Sequence, residues 1–395
     1  MDAIFSARWV LPIGQPPLRD GWVAVADGRI TEVGAGRAPR ESTKIDGAIL
    51  PGLVNAHTHL ELSWMRDQVP PAPTMPQWVE SLMALRRTVG HEPPAPILQG
   101  INEARAAGTA LVGDITNTLA ACEALVGSPM SGFVFRELLG FNVPDPAAVV
   151  AAARAQIDAL PMNSRVRASV VPHAPYSVSS ALLRAIAAAS DQAPISIHLG
   201  ESAEEVEFLQ SGTGAWRQLL TKLGLWSGDW RAPATGPVDY IAAHGLLNER
   251  LLAVHCVQLT DAELATLAAA GATVVTCPRS NRWTGAGLPP VERFYASGVR
   301  VAVGTDSLSS VEDLNVFEEL RMIRELAPGV AASEILASAT KHGADALGFS
   351  TELGTLEPGK RAEMIAVSVP PSTLDVEEYL LTGISPSQIR WVSGA

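Results

Sequence analysis

The stretch Pro51-Gly52-Leu53-Val54-Asn55-Ala56-His57-Thr58-His59 decides how the rest of the chain is read. Its apolar run predicts a buried strand, and the strand's end carries two histidines at a spacing of two. Residues i and i+2 of a strand project to one face, so both imidazoles point together at the carboxyl end. That spacing suits two ligands on one borderline cation such as zinc. Two surface histidines in a loop is the plain alternative, and the surrounding sequence has to choose between them.

Outward from this stretch, short β-branched or apolar runs alternate with Ala/Leu-rich segments from about residue 48 to 350. Strands are expected at Ile49–Asn55, Ala110–Asp114, Gly132–Leu138, Val166–Val171, Ile195–His198, Leu251–His255, Thr273–Cys277 and Val299–Gly304. Helices are expected at Pro96–Ala107, Pro146–Leu160, Ser180–Ala189, Asp261–Ala270 and Leu288–Ser297; proline suits a first helical position. Eight strands with intervening helices imply parallel crossovers, an α/β chain folded as a (β/α)8 TIM barrel. A doubly wound sheet is the rival, but no GxGxxG follows the early strands.

The flanks differ in character. Residues 2–48 read as short strands, with Asp27-Gly28 between two apolar runs as a hairpin signal. A further strand is expected at Ala362–Val369, after the Pro358-Gly359 turn. The expectation is a small β-sandwich domain built from both chain ends, residues 1–48 plus 354–395, flanking a metal-dependent barrel of residues 49–353.

Composition narrows the function classes. Apolar residues make up 47% of 395 and charged residues 18%, a globular balance. A net charge of −12 argues against nucleic acid or anionic membrane as partner, since both call for basic patches. No apolar run reaches membrane-span length, and the start lacks the basic and apolar regions of a signal peptide. Cys122, Cys256 and Cys277 form no CxxC pair and read as reduced, buried thiols. A cytoplasmic protein acting on a small molecule is expected, with a homodimer as the working oligomeric state.

Other strand ends add chemistry. His198 closes Ile195-Ser196-Ile197-His198, and Glu201 follows in the loop above it, a place suited to proton transfer. A helix-start carboxylate is the alternative for Glu201. Ser202 and Glu205 have the spacing of a capping box. His255 ends Leu252-Ala253-Val254-His255, and Asp306 ends Val301-Ala302-Val303-Gly304-Thr305-Asp306. A carboxylate there needs a partner, which a cation supplies; capping the next helix is the alternative. His173 sits between Pro172 and Pro175, as a substrate contact or a structural hydrogen-bonder. His91, His244 and His342 read as structural or exposed. Trp64, Met75 and Trp78 fall in a long loop after the first strand.

These motifs together resemble the amidohydrolase superfamily, in its cytosine-deaminase-like branch of purine and triazine deaminases and chlorohydrolases. The resemblance covers nearly the whole chain. It rests on the opening stretch, His198-Leu199-Gly200-Glu201, Val254-His255-Cys256, Gly304-Thr305-Asp306 and Glu357-Pro358-Gly359-Lys360-Arg361-Ala362-Glu363. It implies metal ligation by His57, His59, His198 and Asp306, a proton shuttle at Glu201, and an orienting, polarising role for His255. Asp306 is also implied as acceptor of the water proton. Binuclear members carry a bridging lysine after the fourth strand; here that position holds the segment around His173, which implies one divalent ion, zinc with iron as the alternative.

Val171-Pro172-His173-Ala174-Pro175-Tyr176 is similar to the segment that meets the ribose in adenosine-type deaminases. Phe135-Arg136-Glu137-Leu138-Leu139-Gly140 and Cys277-Pro278-Arg279-Ser280-Asn281 resemble aminodeoxyfutalosine deaminases of menaquinone biosynthesis. The resemblance implies hydrolytic removal of the 6-amino group of a modified adenine nucleoside, with Arg279 or Arg136 facing the substrate carboxylate. For Arg279, pairing with a barrel carboxylate is the alternative. Methylthioadenosine or adenosylhomocysteine deamination, triazine chlorohydrolysis, and a metal-free interaction protein are the competing functions.

Overall fold

A computed structural model of the chain describes residues 3–89, 93–226, 228 and 230–392. His91 lies outside them. Fourteen strands are present among the described residues: β1 (Ala3–Val10), β2 (Leu18–Ala26), β3 (Arg29–Ala35), β4 (Thr43–Pro51), β5 (Leu53–Thr58), β6 (Thr109–Thr116) and β7 (Ser131–Leu138), followed by β8 (Val166–Pro172), β9 (Ile195–Leu199), β10 (Leu251–His255), β11 (Thr273–Thr276), β12 (Arg300–Val303), β13 (Met364–Val367) and β14 (Ile389–Trp391).

Eight of them form two parallel sheets, in the orders β5-β6-β7-β8 and β9-β10-β11-β12. Every residue of β5, β6, β9, β10 and β11 is buried. Strands covered on both faces read as continuous apolar runs, which is why these were visible as such. The sheets meet at their carboxyl ends. His198 N donates to His173 O at 2.9 Å, and Thr305 N and Asp306 N both donate to His57 O, at 3.1 and 3.0 Å.

The connecting helices start on chemistry readable in the sequence. Pro146–Asp158 opens on proline, and the Asp145 carboxylate accepts from Ala148 N. Asp261–Ala269 opens on a complete capping box between Thr260 and Glu263. One helix departs from expectation. Met75–Arg86 lies in what reads as a long loop, because its amphipathic pattern is weak and only Met75, Pro76 and Trp78 are buried.

The expected strand Ile49–Asn55 is two strands. β4 runs through Pro51 in the flanking sheet and β5 starts at Leu53 in the parallel one. Gly52 makes the crossing, since a Cβ there would lie 2.6 Å from the Ala110 Cβ and 2.9 Å from the Trp391 ring. A boundary between residues 48 and 49 therefore falls inside a strand.

Strands from both chain ends pair with one another. The described residues give a single mixed sheet of six strands, β14-β13-β4-β1-β2-β3. In it β4 pairs with β1 on one side and β13 on the other. The Asp27-Gly28 hairpin forms with both residues at positive φ (48° and 72°), as a two-residue turn between twisted strands requires. The turn around Pro358-Gly359 docks on it, through Ile30 N to Lys360 O and Gly359 N to Ile30 O. Among the described residues no helix is long and apolar enough to cross a membrane. All three cysteines are free and buried.

Candidate metal centre

The strand ends bring five imidazoles and two carboxylates together. The rings of His57 and His59 lie 5.0 Å apart, as do those of His57 and His198, while His57 and His255 are 5.5 Å apart. Asp306 Oδ1 is 3.5 Å from His59 Nε2 and 3.9 Å from His57 Nε2. One ligand atom each from His57, His59 and Asp306 lies within 4.8 Å of the others, and the same holds for His57, His198 and His255. Burial first, then the neighbouring imidazoles, hold His57 well below its ordinary 6.5. Burial likewise takes His198, His173 and His255 down to about 3. Burial favours the neutral form of all four rings, in which His57 and His198 each keep a lone pair for a cation.

The unsatisfied atoms fit the same group. His57 is fully buried, and neither of its ring nitrogens has a hydrogen-bond partner. Such an orphan costs roughly 1–3 kcal/mol unless something else bonds it. A divalent cation with N and O donors is the chemistry this donor set suits.

Strained backbone shapes the cluster. His255, Cys256 and Asp306 occupy the left-handed region at φ of 74°, 54° and 63°, a conformation costing about 1–3 kcal/mol for a residue with a Cβ. Asp306 is held there by its N–H to His57 O, by Thr58 Oγ1 donating to its carbonyl at 2.8 Å, and by Ser280 Oγ donating to Oδ2 at 2.6 Å. Gly304 permits this approach: a Cβ would meet the His57 Cβ at 2.7 Å and the His57 carbonyl at 2.8 Å.

His255 is oriented differently from the others. Its Nδ1 accepts from Asn281 Nδ2 at 3.0 Å, which leaves the proton of the neutral ring on Nε2. That nitrogen faces Glu201 Oε1 at 3.5 Å. His255 is thus set up as a donor into the site.

Glu201 is placed by a second buried carboxylate. Glu205 Oε1 accepts from Gly200 N at 2.9 Å, and its Oε2 from Glu201 N at 3.2 Å. The capping box expected at Ser202 is therefore half formed. The Ser202 hydroxyl accepts from Glu205 N, but the Glu205 side chain reaches past Ser202 to the loop. Burial, followed by the charges of Asp306 and Glu205, pushes the Glu201 carboxyl well above 4.5, so these groups favour its protonated form.

Above this floor lies a cavity of about 520 Å³, lined by His59, His173, His198, Glu201 and Asp306 and walled by Met75, Trp78 and a set of leucines. Trp64 packs with Trp78 against Leu62 and Met65 outside that lining. His173 reaches the cavity with Nδ1 tied to Ser177 Oγ at 2.6 Å. His244 and His342 bond the carbonyls of Tyr240 and Val301 away from it, in line with a structural reading.

The two arginines expected to face a substrate carboxylate do not line the cavity. Arg279 is 7% exposed and is taken up by Glu312 at 3.0 Å, Asp313 at 2.9 Å and Glu319 at 3.7 Å, which answers to the structural alternative. Arg136 precedes Glu137 on β7, and alternation sends the two side chains to opposite faces. Glu137 enters the cavity, whereas Arg136 bonds Gln156 Oε1 and the Glu137 carbonyl. Glu137 itself went unremarked in the sequence, along with Asn117, Glu61, Arg86 and Arg87. Glu137 Oε1 stands 3.5 Å from His198 Nδ1, and Asn117 Nδ2 donates to its Oε2 at 2.8 Å. Strand alternation carries the signal for Glu137; the others sit on a loop and a helix end without a motif.

A model of the amidohydrolase family matches residues 48–387. The 5-methylthioadenosine/S-adenosylhomocysteine deaminase of Moorella thermoacetica is 31% identical, over 97% of this chain and 90% of its own. The aminodeoxyfutalosine deaminase of Deinococcus radiodurans is 34% identical, over 79% of this chain and 77% of its own. A crystal structure of an adenosine deaminase from Xanthomonas campestris with bound zinc superposes with a TM-score of 0.80 at 27% identity, covering 98% of this chain and 90% of that one.

Proposed function

The chain belongs to the amidohydrolase family, and on that premise we propose that it removes the 6-amino group of an adenine nucleoside modified at its 5′ position, aminodeoxyfutalosine being the favoured substrate. It is a hydrolytic deaminase of small nucleoside-type substrates, as its relatives are named. The observation that carries the reading is a buried carboxyl, Glu201, 3.5 Å from His255 Nε2 and beside a cluster of imidazoles and Asp306 that could hold a cation. His57, His59, His198 and Asp306 would hold one divalent cation, for which we favour zinc. When bound, that cation supplies Lewis acidity and makes water acidic enough to lose a proton near neutral pH. The two parallel sheets are read as one barrel of the TIM type, with the site at its carboxyl mouth.

The chain's own groups account for the proton traffic. Glu201 gives its proton to the ring nitrogen next to the amino-bearing carbon, which becomes more electrophilic. Water attacks that carbon while Asp306 takes the water proton. His255 Nε2–H donates to the oxygen as charge develops on it. Asp306 then passes its proton to the amine, the C–N bond breaks and ammonia leaves. Glu201 recovers the adduct's hydroxyl proton as the C=O forms, so both carboxyls return to their starting states. Glu205 keeps Glu201 in register, and His173 is placed to meet the ribose.

Two measurements test this. Purified protein should carry close to one equivalent of zinc or iron, and less than roughly a tenth of an equivalent would sink the metal centre. Ammonia release should then be followed with aminodeoxyfutalosine, methylthioadenosine, adenosylhomocysteine, adenosine, guanine and a chlorotriazine. Turnover confined to guanine or the triazine would overturn the adenine-nucleoside assignment.

A further inference from the structure

We propose that Arg87, at the rim of the cavity, selects adenine nucleosides whose 5′ substituent ends in a carboxylate. The proposal rests on the adenine-nucleoside reading above. With Arg279 and Arg136 engaged elsewhere, Arg86 and Arg87 are the two arginines that line the cavity, both at the end of the helix Met75–Arg86.

Their situations differ. Arg86 donates to Asn117 Oδ1 at 2.9 Å and to Glu61 Oε1 at 3.0 Å. Glu61 in turn accepts from Thr116 Oγ1 at 2.6 Å, Asn117 N at 2.9 Å and Thr118 Oγ1 at 2.7 Å. Held by those donors, Glu61 fixes Arg86 in place. Arg87 is exposed, lines the same cavity and forms no ion pair among the described residues.

The wall between floor and rim is apolar. Leu82, Met83 and Leu223 line it with Leu139 and Leu225, which are 51% and 43% exposed. Apolar surface of that kind gains from being covered, so it suits a substituent with an apolar body. Its far end is a different matter. The chain carries a net charge of −12, and the Glu137 and Asp306 carboxylates sit on the cavity floor. An anionic substrate is repelled by that field unless a cation meets its charge locally. Arg87 supplies one, with a planar fork that matches a carboxylate. An aromatic acid at the 5′ end fits both wall and rim; a methylthio group uses only the wall.

Initial rates of the metal-loaded enzyme decide the matter, using aminodeoxyfutalosine, its methyl ester and methylthioadenosine with the parent, Arg87→Ala and Arg87→Lys. In Arg87→Ala, kcat/KM for the free acid should fall at least about tenfold further than for the ester or methylthioadenosine, through KM. Arg87→Lys should recover part of that loss, since it keeps the charge without the fork. Equal losses on all three substrates, or a parent enzyme that prefers the ester, would overturn the role of Arg87 while leaving deamination intact. A parent inactive on all three would instead bring down the nucleoside reading, and this proposal with it.

Discussion

The protein makes a charge on Glu201 expensive, which favours the proton that the proposed reaction draws from it. It is 2% exposed, and Asp306 and Glu205 add like charge nearby. Replacing it by glutamine keeps the shape and removes the acid. For Glu201→Gln, kcat should drop by about 10²–10⁴. Stability should move the other way. The folded chain holds this proton above 4.5, where the unfolded chain has released it, so the parent loses stability as pH rises through that window. The variant has nothing to titrate, so its Tm should gain on the parent's as pH rises above about 4.5. Parallel melting curves would mean that Glu201 is already ionised in the folded protein. This residue, and the five histidines around it, were legible in the sequence because each ends or directly follows an apolar run, and a run's end is a fixed place in a parallel sheet. Arg279 and Arg136 were misplaced because motif likeness does not say where a long side chain points. For Arg136 the alternation with Glu137 does.

Among elements, the seam between β12 and β5 carries more of the site than any one strand. The peptide nitrogens of Thr305 and Asp306 both reach the His57 carbonyl, so ligands from opposite ends of the parallel sheets share one backbone anchor. Gly304 keeps that distance short. Gly304→Ala would place a methyl 2.7 Å from the His57 Cβ, 2.8 Å from its carbonyl oxygen and 2.9 Å from Cys277 Sγ, with no flexible end to yield. We expect a loss of about 1–3 kcal/mol in stability together with a drop in bound metal. Calorimetry and metal analysis of one preparation check both; full metal content at parental Tm would show that the seam has slack. The strand itself was readable, but its crossing at Gly52 was not. An apolar run from Ile49 to Asn55 looks continuous, and only the close approach of Ala110 and Trp391 shows why it must change sheets. The helix Met75–Arg86 escaped for the opposite reason, since it buries too little to show a period.

For the molecule as a whole, the flanking sheet and the parallel strands share one interior. Leu50 of β4 and Ile365 and Val367 of β13 pack in a single cluster with Leu53 of β5 and with Phe317, Leu320 and Ile335 from helices of the main unit. That both chain ends meet was evident from their turn-rich character; that they form one sheet was not, because pairing partners are a long-range property that local alternation does not encode. The consequence is mechanical. Ending the chain after residue 353 removes β13 and β14, which leaves the edge of β4 unpaired over Ala48 to Pro51 and strips cover from Leu50 and Phe317. An exposed edge with apolar surface beside it invites pairing with other chains. The 1–353 fragment should therefore lose its cooperative melting transition and its metal and run as aggregate on gel filtration, although every residue of the site lies within it. A monodisperse fragment that melts cooperatively and retains activity would mean that the parallel strands are self-sufficient. Aggregation would place the start of the site, His57, five residues past Gly52, within reach of whatever holds β4, so that the small sheet positions His57 as well as covering the core.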